Sequence, residues 1–406
     1  MLATLAEMTS TAVTVPEAAR ELGLTERQLR HAMRNGAPVV HRGHRGRGNS
    51  SATLLDVEAV AAWLQARGEK PLRARQLRHW LLVRGAETFD EMSDLPRSLR
   101  TKLNEAFVPL SSRVARHQRA ADDTHKLLLE LRDGKQVECV LIQEGGRRTA
   151  CISTQVGCGM GCVFCASGLE GVERNLSAGE ILEQLVRLRN LTAENRLSHI
   201  VVMGMGEPLA NLDNLLAALD VATAPEGLGI GARHVTISTV GLPARIRTLA
   251  ESGKQYHLAV SLHAPNDRLR TSIVPTNDRI GLQAILDAAD FFHARTGRQV
   301  TFEYVLLQGI NDDVTHAREL ARLLRGRKAH VNLIPFNDVE GLPYRRPGPE
   351  ALAAFAGVLR GQGLSVKVRK RKGSQIDAAC GQLRRSVESG VSSQGSGSST
   401  RPNGQW

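Results

Sequence analysis

Three cysteines in one short loop constrain this chain more than any other feature of its sequence. Cys158, Cys162 and Cys165 follow one another with the spacing C-x3-C-x2-C. Cysteine thiolates at such spacing hold iron–sulfur clusters, and a [4Fe-4S] cluster needs one ligand at each of its four irons. Three cysteines leave the fourth iron open. An open iron can chelate the amine and carboxylate of a small molecule such as S-adenosylmethionine (SAM).

Two other kinds of site could use these cysteines. A structural zinc ion needs four ligands, usually as two separated pairs, and no second C-x2-C or H-x3-H pair follows the loop. A disulfide framework is typical of secreted chains, and nothing marks this chain as secreted. Gly157, Gly159 and Gly161 would let the backbone fold closely round a cluster. The pattern therefore favours an iron–sulfur cluster over zinc or disulfides.

Length and charge limit the class of protein. A chain of 406 residues predicts two or three domains, with at least one sizeable core. No apolar run approaches a membrane span, Glu7 interrupts any signal-peptide pattern, and six cysteines suit a reducing compartment. We therefore expect a cytoplasmic protein with no membrane partner. The formal net charge of +12 predicts attraction to nucleic acid, unless the basic surface serves solubility alone.

Residues 1–66 predict a small helical module. Thr14 and Glu17 form a helix start, Gly23 ends that helix, and Thr25 begins a second, basic helix. This pattern is typical of a helix-turn-helix that binds DNA. An ordinary three-helix accessory fold explains the same pattern equally well.

Two further segments flank the central part of the chain. Residues 67–120 carry apolar residues at helical spacing and predict a second helical unit. Its basic side chains could neutralise RNA phosphates or simply form a solvated face. The candidates are Arg97, Arg100, Lys102, Arg113, Arg116 and Arg119. Residues 386–406 are rich in Ser and Gly, which predicts a disordered tail.

Residues 121–385 predict the catalytic core. A hairpin comes first, with its turn at Asp133-Gly134, and strands then alternate with helices. The predicted strands are 149–153, 199–203, 234–238, 257–262, 300–306 and 331–334. Repeated βα units predict an α/β fold with a parallel sheet, here a partial, TIM-like (β/α)6 barrel. In such barrels the chemistry collects at the carboxyl ends of the strands. A strongly basic run, 367–373, lies just before Cys380.

Three motifs together carry a family resemblance. Cys151-Ile-Ser-Thr-Gln-Val-Gly-Cys158 precedes the cysteine loop, Met203-Gly-Met-Gly-Glu207-Pro follows it, and Ala378-Ala-Cys380-Gly-Gln-Leu closes the core. With these motifs, residues 71–385 resemble the RlmN/Cfr family of radical-SAM RNA adenosine methyltransferases. The resemblance implies a partial barrel preceded by a helical RNA-binding domain. It implies nothing about the module at 1–66, which is not part of the usual family pattern.

The resemblance also implies roles for single residues. Cys158, Cys162 and Cys165 would hold the [4Fe-4S] cluster. Cys380 would take a methyl group from one SAM, and a deoxyadenosyl radical from a second SAM would activate that methyl for addition to adenine. Glu138 would remove the ring proton. Cys151 would then attack the Cys380 sulfur, form a disulfide and release the RNA. The SAM pocket would comprise Gly206, Glu207, Ser238, Ser261, Leu262, His263 and Asn337.

Other interpretations of these residues exist. Without the family pattern, Cys380 reads as a small buried hydrophobic residue and Glu138 as a solvent-facing strand residue. Cys139 matches no motif and is assigned to the core. Gln375 stands where the family often has an acidic residue, which puts the contacts of the loop before Cys380 in doubt.

The resemblance thus implies an enzyme that methylates C2 of adenosine in 23S rRNA, and by family analogy in tRNA beside the anticodon. Its partners would be these RNAs and an electron donor such as flavodoxin or ferredoxin, and we expect a monomer. One alternative is a Cfr-like enzyme that acts at C8 with the same machinery. Another is a nucleic-acid-binding regulator that uses its cluster as a redox sensor.

Overall fold

The computed structural model describes residues 52–53, 57–192, 194 and 196–384. The predicted helix-turn-helix segment before residue 52 and the predicted tail at 386–406 lie outside these residues. No helix in the described ranges is long and apolar enough to cross a membrane.

A small helical unit opens the described chain. Strand β1 pairs in parallel with β2, and three α-helices and a π-helical segment, Trp80–Arg84, lie between them in sequence. The bounds are β1 Ala52–Thr53, α1 Val57–Gln65, α2 Pro71–His79, α3 Arg97–Ala106 and β2 Phe107–Val108. Val60 and Leu64 of α1 are buried in the same core as Leu77 of α2. Packing therefore joins α1 to the helices that follow, although the sequence analysis assigned it to the module at 1–66.

An antiparallel group of strands comes next. Its members are β3 Arg113–Arg119, β4 His125–Glu130 and β5 Gln136–Glu144. The predicted hairpin with its turn at Asp133-Gly134 corresponds to β4 and β5, which pair antiparallel. Strand β3 falls in the range that was expected to be helical. It has no apolar stripe at helical spacing, most of its side chains are exposed, and its backbone pairs with β4 at the edge of the sheet.

The large sheet confirms the α/β prediction. Ten strands lie in the order β14-β13-β12-β11-β10-β9-β6-β5-β4-β3, and every neighbouring pair from β6 to β14 is parallel. The parallel strands are β6 Arg147–Cys151, β9 His199–Val202, β10 Val235–Thr239, β11 His257–Ser261, β12 Val300–Leu306, β13 Ala329–Pro335 and β14 Ser365–Val368. The first six match the predicted strands, and β14 is an addition. A separate antiparallel pair comprises β7 Gln155–Gly157 and β8 Val172–Asn175.

Helices connect the parallel strands, as repeated βα units require. They are α4 Ala178–Asn190, α5 Leu212–Thr223, α6 Pro243–Glu251, α7 Asp267–Ile273, α8 Leu282–Thr296, α9 Val314–Leu323 and α10 Pro349–Gly361. Helix α4 begins with a reciprocal capping box formed by Ser177 and Glu180. Prolines begin α6 and α10, where a missing N–H costs no hydrogen bond.

The sheet is curled into a partial barrel. Strands β14 and β9 are five places apart in the sheet, about 24 Å if it were flat. Yet Nη1 of Arg369, just after β14, lies 3.7 Å from Sδ of Met203, just after β9. Only a curved sheet brings these side chains together. The carboxyl ends of its strands therefore surround a common interior.

Candidate active site

A cavity of about 910 Å³ opens at the carboxyl ends of the parallel strands. All three loop cysteines line it, and so do most of the predicted SAM-binding residues. Those residues are Gly206, Glu207, Ser238, Ser261, His263 and Asn337, and Cys380 joins them. Leu262 does not line the cavity. Its side chain is fully buried in the core, and its carbonyl oxygen accepts a hydrogen bond from Arg270.

The cysteine loop has a backbone that glycine makes possible. Gly157 has φ +77°, and a Cβ there would lie 2.1 Å from the carbonyl oxygen of Gly171. The next amide, of Cys158, donates to that same oxygen at 2.9 Å. Strand β7, which carries Gly157, is thereby held against the start of β8. The loop between them is the segment that presents the three cysteines.

The donor set fits a [4Fe-4S] cluster. Burial raises the pKa of Cys158 to about 11 and raises the pKa values of Cys162 and Cys165 as well. Metal coordination deprotonates such thiols outright. Among the described residues, no trio of His, Cys, Asp or Glu converges closely enough to hold a single metal ion. A [4Fe-4S] cluster takes one thiolate at each of three irons when the fourth iron is left open, which matches the three cysteines of this loop.

Glu207 is a buried carboxylate on the cavity wall. It is 2% exposed, and its two oxygens accept backbone N–H groups of Leu209 at 3.0 Å and Val240 at 2.8 Å. Burial raises the pKa of Glu207, and these hydrogen bonds oppose that rise because they favour the ionised form. Each carboxylate oxygen has a second lone pair, which can accept a hydrogen bond from an ammonium group.

His263 is held neutral beside the cysteine loop. Its Nδ1 accepts the Val305 N–H at 3.0 Å, which leaves Nε2 as the N–H donor. Burial, with the nearby Arg270, lowers the pKa of His263 to about 3. The ring contacts Phe164 edge-on, with centroids 4.8 Å apart. This contact packs the cysteine loop against the end of β11.

Cys380 lies between two cavities. A second cavity, of about 1,430 Å³, also contains Cys380, and Cys151 lines it. Asn337 Nδ2 donates to the Cys380 carbonyl oxygen at 3.1 Å, so this residue also holds the Cys380 loop. The Cys165 side of the loop is joined to the same segment, because Ala166 N donates to Gly381 O at 2.8 Å. All six cysteines of the chain are free, and Cys139 is fully buried in the core.

Glu138 forms a buried ion pair below the Cys380 loop. It is 6% exposed, its Oε1 lies 2.8 Å from Lys126 Nζ, and its Oε2 accepts the Arg384 N–H at 3.0 Å. Lys126 also donates to the Asp377 carbonyl oxygen at 3.3 Å. Burial raises the pKa of Glu138, and Lys126 opposes that rise. The pair thus fastens the loop on both sides of Cys380.

Arg369 and Glu303 are interior charges that sequence reasoning missed. Both line the first cavity. The nearby Cys380 sulfur, and then Glu303, raise the pKa of Arg369, whereas burial opposes that rise. Burial raises the pKa of Glu303, and Arg369 opposes the rise. Glu303 could have been recognised as a candidate from the sequence, because it is a charged residue in the middle of an apolar strand. Nothing in the sequence distinguished Arg369 from the other basic residues of the run at 367–373.

The comparisons with known proteins agree with this architecture. The sequence model of the Radical SAM superfamily matches residues 152–321, and that of the Ribosomal RNA large subunit methyltransferase N-terminal domain matches residues 53–108. A protein of Rhodopirellula baltica named Probable dual-specificity RNA methyltransferase RlmN is 57% identical over 331 residues, or 81% of this chain and 89% of that protein. The chain belongs to the RlmN family. A Bacillus subtilis protein of the same name is 43% identical. The alignment covers 81% of this chain and 92% of that protein.

A solved structure has a similar fold. The crystal structure of a radical SAM methyltransferase from Sphaerobacter thermophilus matches with a TM-score of 0.80 at 43% identity, covering 82% of this chain and 99% of that one. Membership of the RlmN family makes this chain a SAM-dependent RNA methyltransferase that uses radical chemistry. It also implies a [4Fe-4S] cluster and SAM as cofactors. The three thiols at the first cavity suit that cluster.

Proposed function

We propose that this enzyme methylates C2 of adenosine in large-subunit ribosomal RNA, and in tRNA beside the anticodon, with Cys380 as the methyl carrier. The position of Cys380 between two cavities carries the proposal. One cavity holds the three loop cysteines, and the other contains Cys151. A carrier that receives a group from one ligand and gives it to another needs access to both.

The residues of the first cavity bind and orient SAM in this proposal. Cys158, Cys162 and Cys165 hold the cluster, and Glu207 accepts hydrogen bonds from the SAM ammonium group. His263 stays neutral and offers its Nε2–H as a donor. The bound cofactors supply one-electron chemistry that removes a hydrogen atom from an unreactive C–H bond.

The remaining steps use the Cys380 loop. Glu138 takes the adenine ring proton, for which its carboxylate must be ionised and within hydrogen-bond reach of that proton. Its oxygens are now engaged by Lys126 and Arg384, so movement of the loop would expose it. Cys151 then attacks the Cys380 sulfur as a thiolate. The new S–S bond replaces the bond between that sulfur and the carbon joined to adenine, and the electron pair of the broken bond stays with the nucleobase, which takes up a proton. Burial raises the pKa of Cys151 to about 12, and the Arg369 charge lowers it, so this arginine favours the thiolate.

The proposal is tested by nucleoside mass spectrometry. The reconstituted full chain is supplied with reductant, methyl-deuterated SAM, and ribosomal or transfer RNA. We expect labelled 2-methyladenosine from the wild type and none from Cys380→Ala. Cys139→Ala is the matched control, because Cys139 is buried in the core and lines neither cavity, and it should retain activity. Product of 8-methyladenosine would establish the Cfr-like alternative, and SAM cleavage without either nucleoside would refute the methyltransferase proposal.

The cellular setting follows from this chemistry. RNA substrates and a low-potential electron donor such as flavodoxin or ferredoxin place the proposed reaction in the cytoplasm. We expect the enzyme to act as a monomer, since both cavities are built from residues of one chain. A redox-sensing regulator would retain its activity after replacement of Cys380, so the same variant separates that alternative from the enzyme.

A further inference from the structure

The second cavity has a strongly basic wall. Its volume is about 1,430 Å³, and it lies on the side of Cys380 that also contains Cys151. Six of its lining side chains are cationic and one, Glu144, is acidic. The cationic residues are Arg346, Lys367, Arg369, Lys370, Arg371 and Lys372. Strand β14 and the segment after it supply five of the six.

Several of these charges lack a carboxylate partner. Lys372 lies 3.4 Å from Glu144, and Arg371 lies 3.9 Å from Asp338. Lys367 and Lys370 are exposed, and no carboxylate of the described residues lies within ion-pair distance of either. The wall therefore carries uncompensated positive charge on a concave surface, where an anion is stabilised most.

Arg346 adds to this excess. Its Nη1 donates to the carbonyl oxygens of Pro335 and Phe336, at 3.3 and 3.2 Å, so the guanidinium is fixed by backbone rather than by a carboxylate. Burial, followed by the nearby Arg371, lowers the pKa of Arg346. Like charges crowded in this way repel one another, and an anion bound between them relieves that repulsion.

We propose that the second cavity is the entry site for the target nucleotide of the RNA, with Lys367, Lys370 and Arg346 binding its flanking phosphates. This inference rests on the proposed function. The cations are spread along a strand and the segment after it, which suits an extended phosphate backbone better than one small anion. A nucleotide held there would direct its base toward Cys151 and Cys380. SAM and RNA would thus approach Cys380 from different cavities.

The test compares two cavity lysines with one remote lysine. The variants are Lys367→Gln and Lys370→Gln, and the control is Lys328→Gln, an exposed lysine just before β13 at the other end of the barrel. RNA affinity is measured over a range of salt concentrations with the full chain. Each cavity variant should bind RNA about fivefold more weakly, and the slope of log affinity against log salt should fall by about one.

Steady-state methylation gives the second measurement. The cavity variants should raise KM for RNA several-fold and leave kcat at saturating RNA within about twofold, because the lysines act on binding alone. SAM cleavage without RNA should match the wild type. If both variants match Lys328→Gln in affinity, salt slope and KM, the cavity assignment is wrong. If the wild type forms no methylated nucleoside while the cavity variants still lose RNA affinity, the proposed function fails and the RNA site stands.

Discussion

Among single residues, the pair of Lys126 and Glu138 connects stability with chemistry. Both side chains are about 8% exposed, and their charged atoms lie 2.8 Å apart. A buried pair of this kind contributes little net stability, but loss of one partner leaves an uncompensated charge in the interior. Lys126 therefore favours the ionised form of the Glu138 carboxylate, against the effect of burial.

Lys126→Met should destabilise the protein by about 3 kcal/mol at neutral pH. Since burial raises the pKa of Glu138 above its ordinary value, the folded state binds this proton more tightly than the unfolded state does. The stability that protonated Glu138 contributes is therefore fully present below the pKa that this glutamate has in the unfolded chain. It is lost as the pH rises through the pKa of Glu138 in the folded protein. Without Lys126 this loss of stability is larger. The thermal midpoint of Lys126→Met should therefore lie closer to that of the wild type at pH 5 than at pH 7.5.

The double variant Lys126→Met/Glu138→Gln is the control for this effect. It removes both charges, so most of the lost stability should return. If the thermal midpoint of Lys126→Met is lowered equally at both pH values, the unpaired charge of Glu138 is not the cause.

Two glycines of the cysteine loop should differ in their tolerance of a side chain. Gly157→Ala places a Cβ 2.1 Å from a backbone oxygen at positive φ, whereas Gly159→Ala meets only a Val172 methyl at 3.0 Å and has no positive φ. We expect Gly157→Ala to lower the iron content after reconstitution at least several-fold, and Gly159→Ala to stay near wild type. Iron and sulfide analysis measures both, and equal content would refute this distinction.

Single residues of the site could be predicted from sequence where they lie in short motifs with characteristic spacing. The cysteine loop and Glu207 lie next to glycines or prolines in short motifs, and they meet at one cavity. Leu262, predicted for the SAM pocket, directly follows β11 and has its side chain in the core rather than on the cavity wall. Arg369 could be assigned only once β14 was known.

At the level of elements, Arg270 of α7 joins the ends of two strands. It is fully buried and donates to the carbonyl oxygens of Leu262 and Ser261, both at 3.0 Å, and of Val240 at 2.5 Å. Its Nη1 also donates to Asn277 Oδ1 at 2.7 Å. One side chain thus fixes the segments after β10 and β11, both of which border the first cavity.

Arg270→Met should lower stability by about 4 kcal/mol, because several buried carbonyl oxygens would lose their donor. Chemical denaturation measures the change. Arg268→Met on the same helix is the control, since Arg268 is exposed and should change stability by less than about 0.5 kcal/mol. Equal effects of the two variants would show that the buried hydrogen bonds contribute little.

Element prediction followed the strength of the apolar pattern. Strands β9 to β13 carry mostly apolar residues between turn signals, and their positions were predicted to within about two residues. Strand β14 has lysine and serine at alternate positions, so its sequence reads as a charged tract. It forms a strand because β13 offers a parallel edge for pairing. Strand β3 likewise forms because it pairs with β4. The sequences of β14 and β3 do not themselves indicate that β13 and β4 lie beside them.

In the whole molecule, Glu183 of α4 ties the barrel to the segment after the helical unit. Its side chain is 1% exposed and accepts four hydrogen bonds, from the backbone and hydroxyl groups of Ser111 and Ser112, at 2.6 to 3.0 Å. Arg189, on the same helix, donates to the carbonyl oxygen of Leu82. The helical unit is therefore positioned by buried polar contacts with α4.

Glu183→Ala should loosen this attachment. We expect faster amide hydrogen exchange in 77–112, by at least tenfold, with little change in β10 to β13. Glu251→Ala at the end of α6 is the control, because that residue is exposed. Uniform acceleration across the whole chain would instead indicate global destabilisation.

The location of Cys380 has a pharmacological consequence. A small molecule seated in the second cavity would lie beside Cys151 and Cys380, while the cysteines of the iron–sulfur loop line only the first cavity. With RNA and SAM in the cavities proposed for them, such an inhibitor would be competitive with RNA and would leave SAM free to bind. An electrophile on its scaffold could react with Cys380, whereas burial raises the pKa of the Cys151 thiol and makes it less reactive. Radical-SAM enzymes that lack this pair of cysteines would offer it no point of attachment.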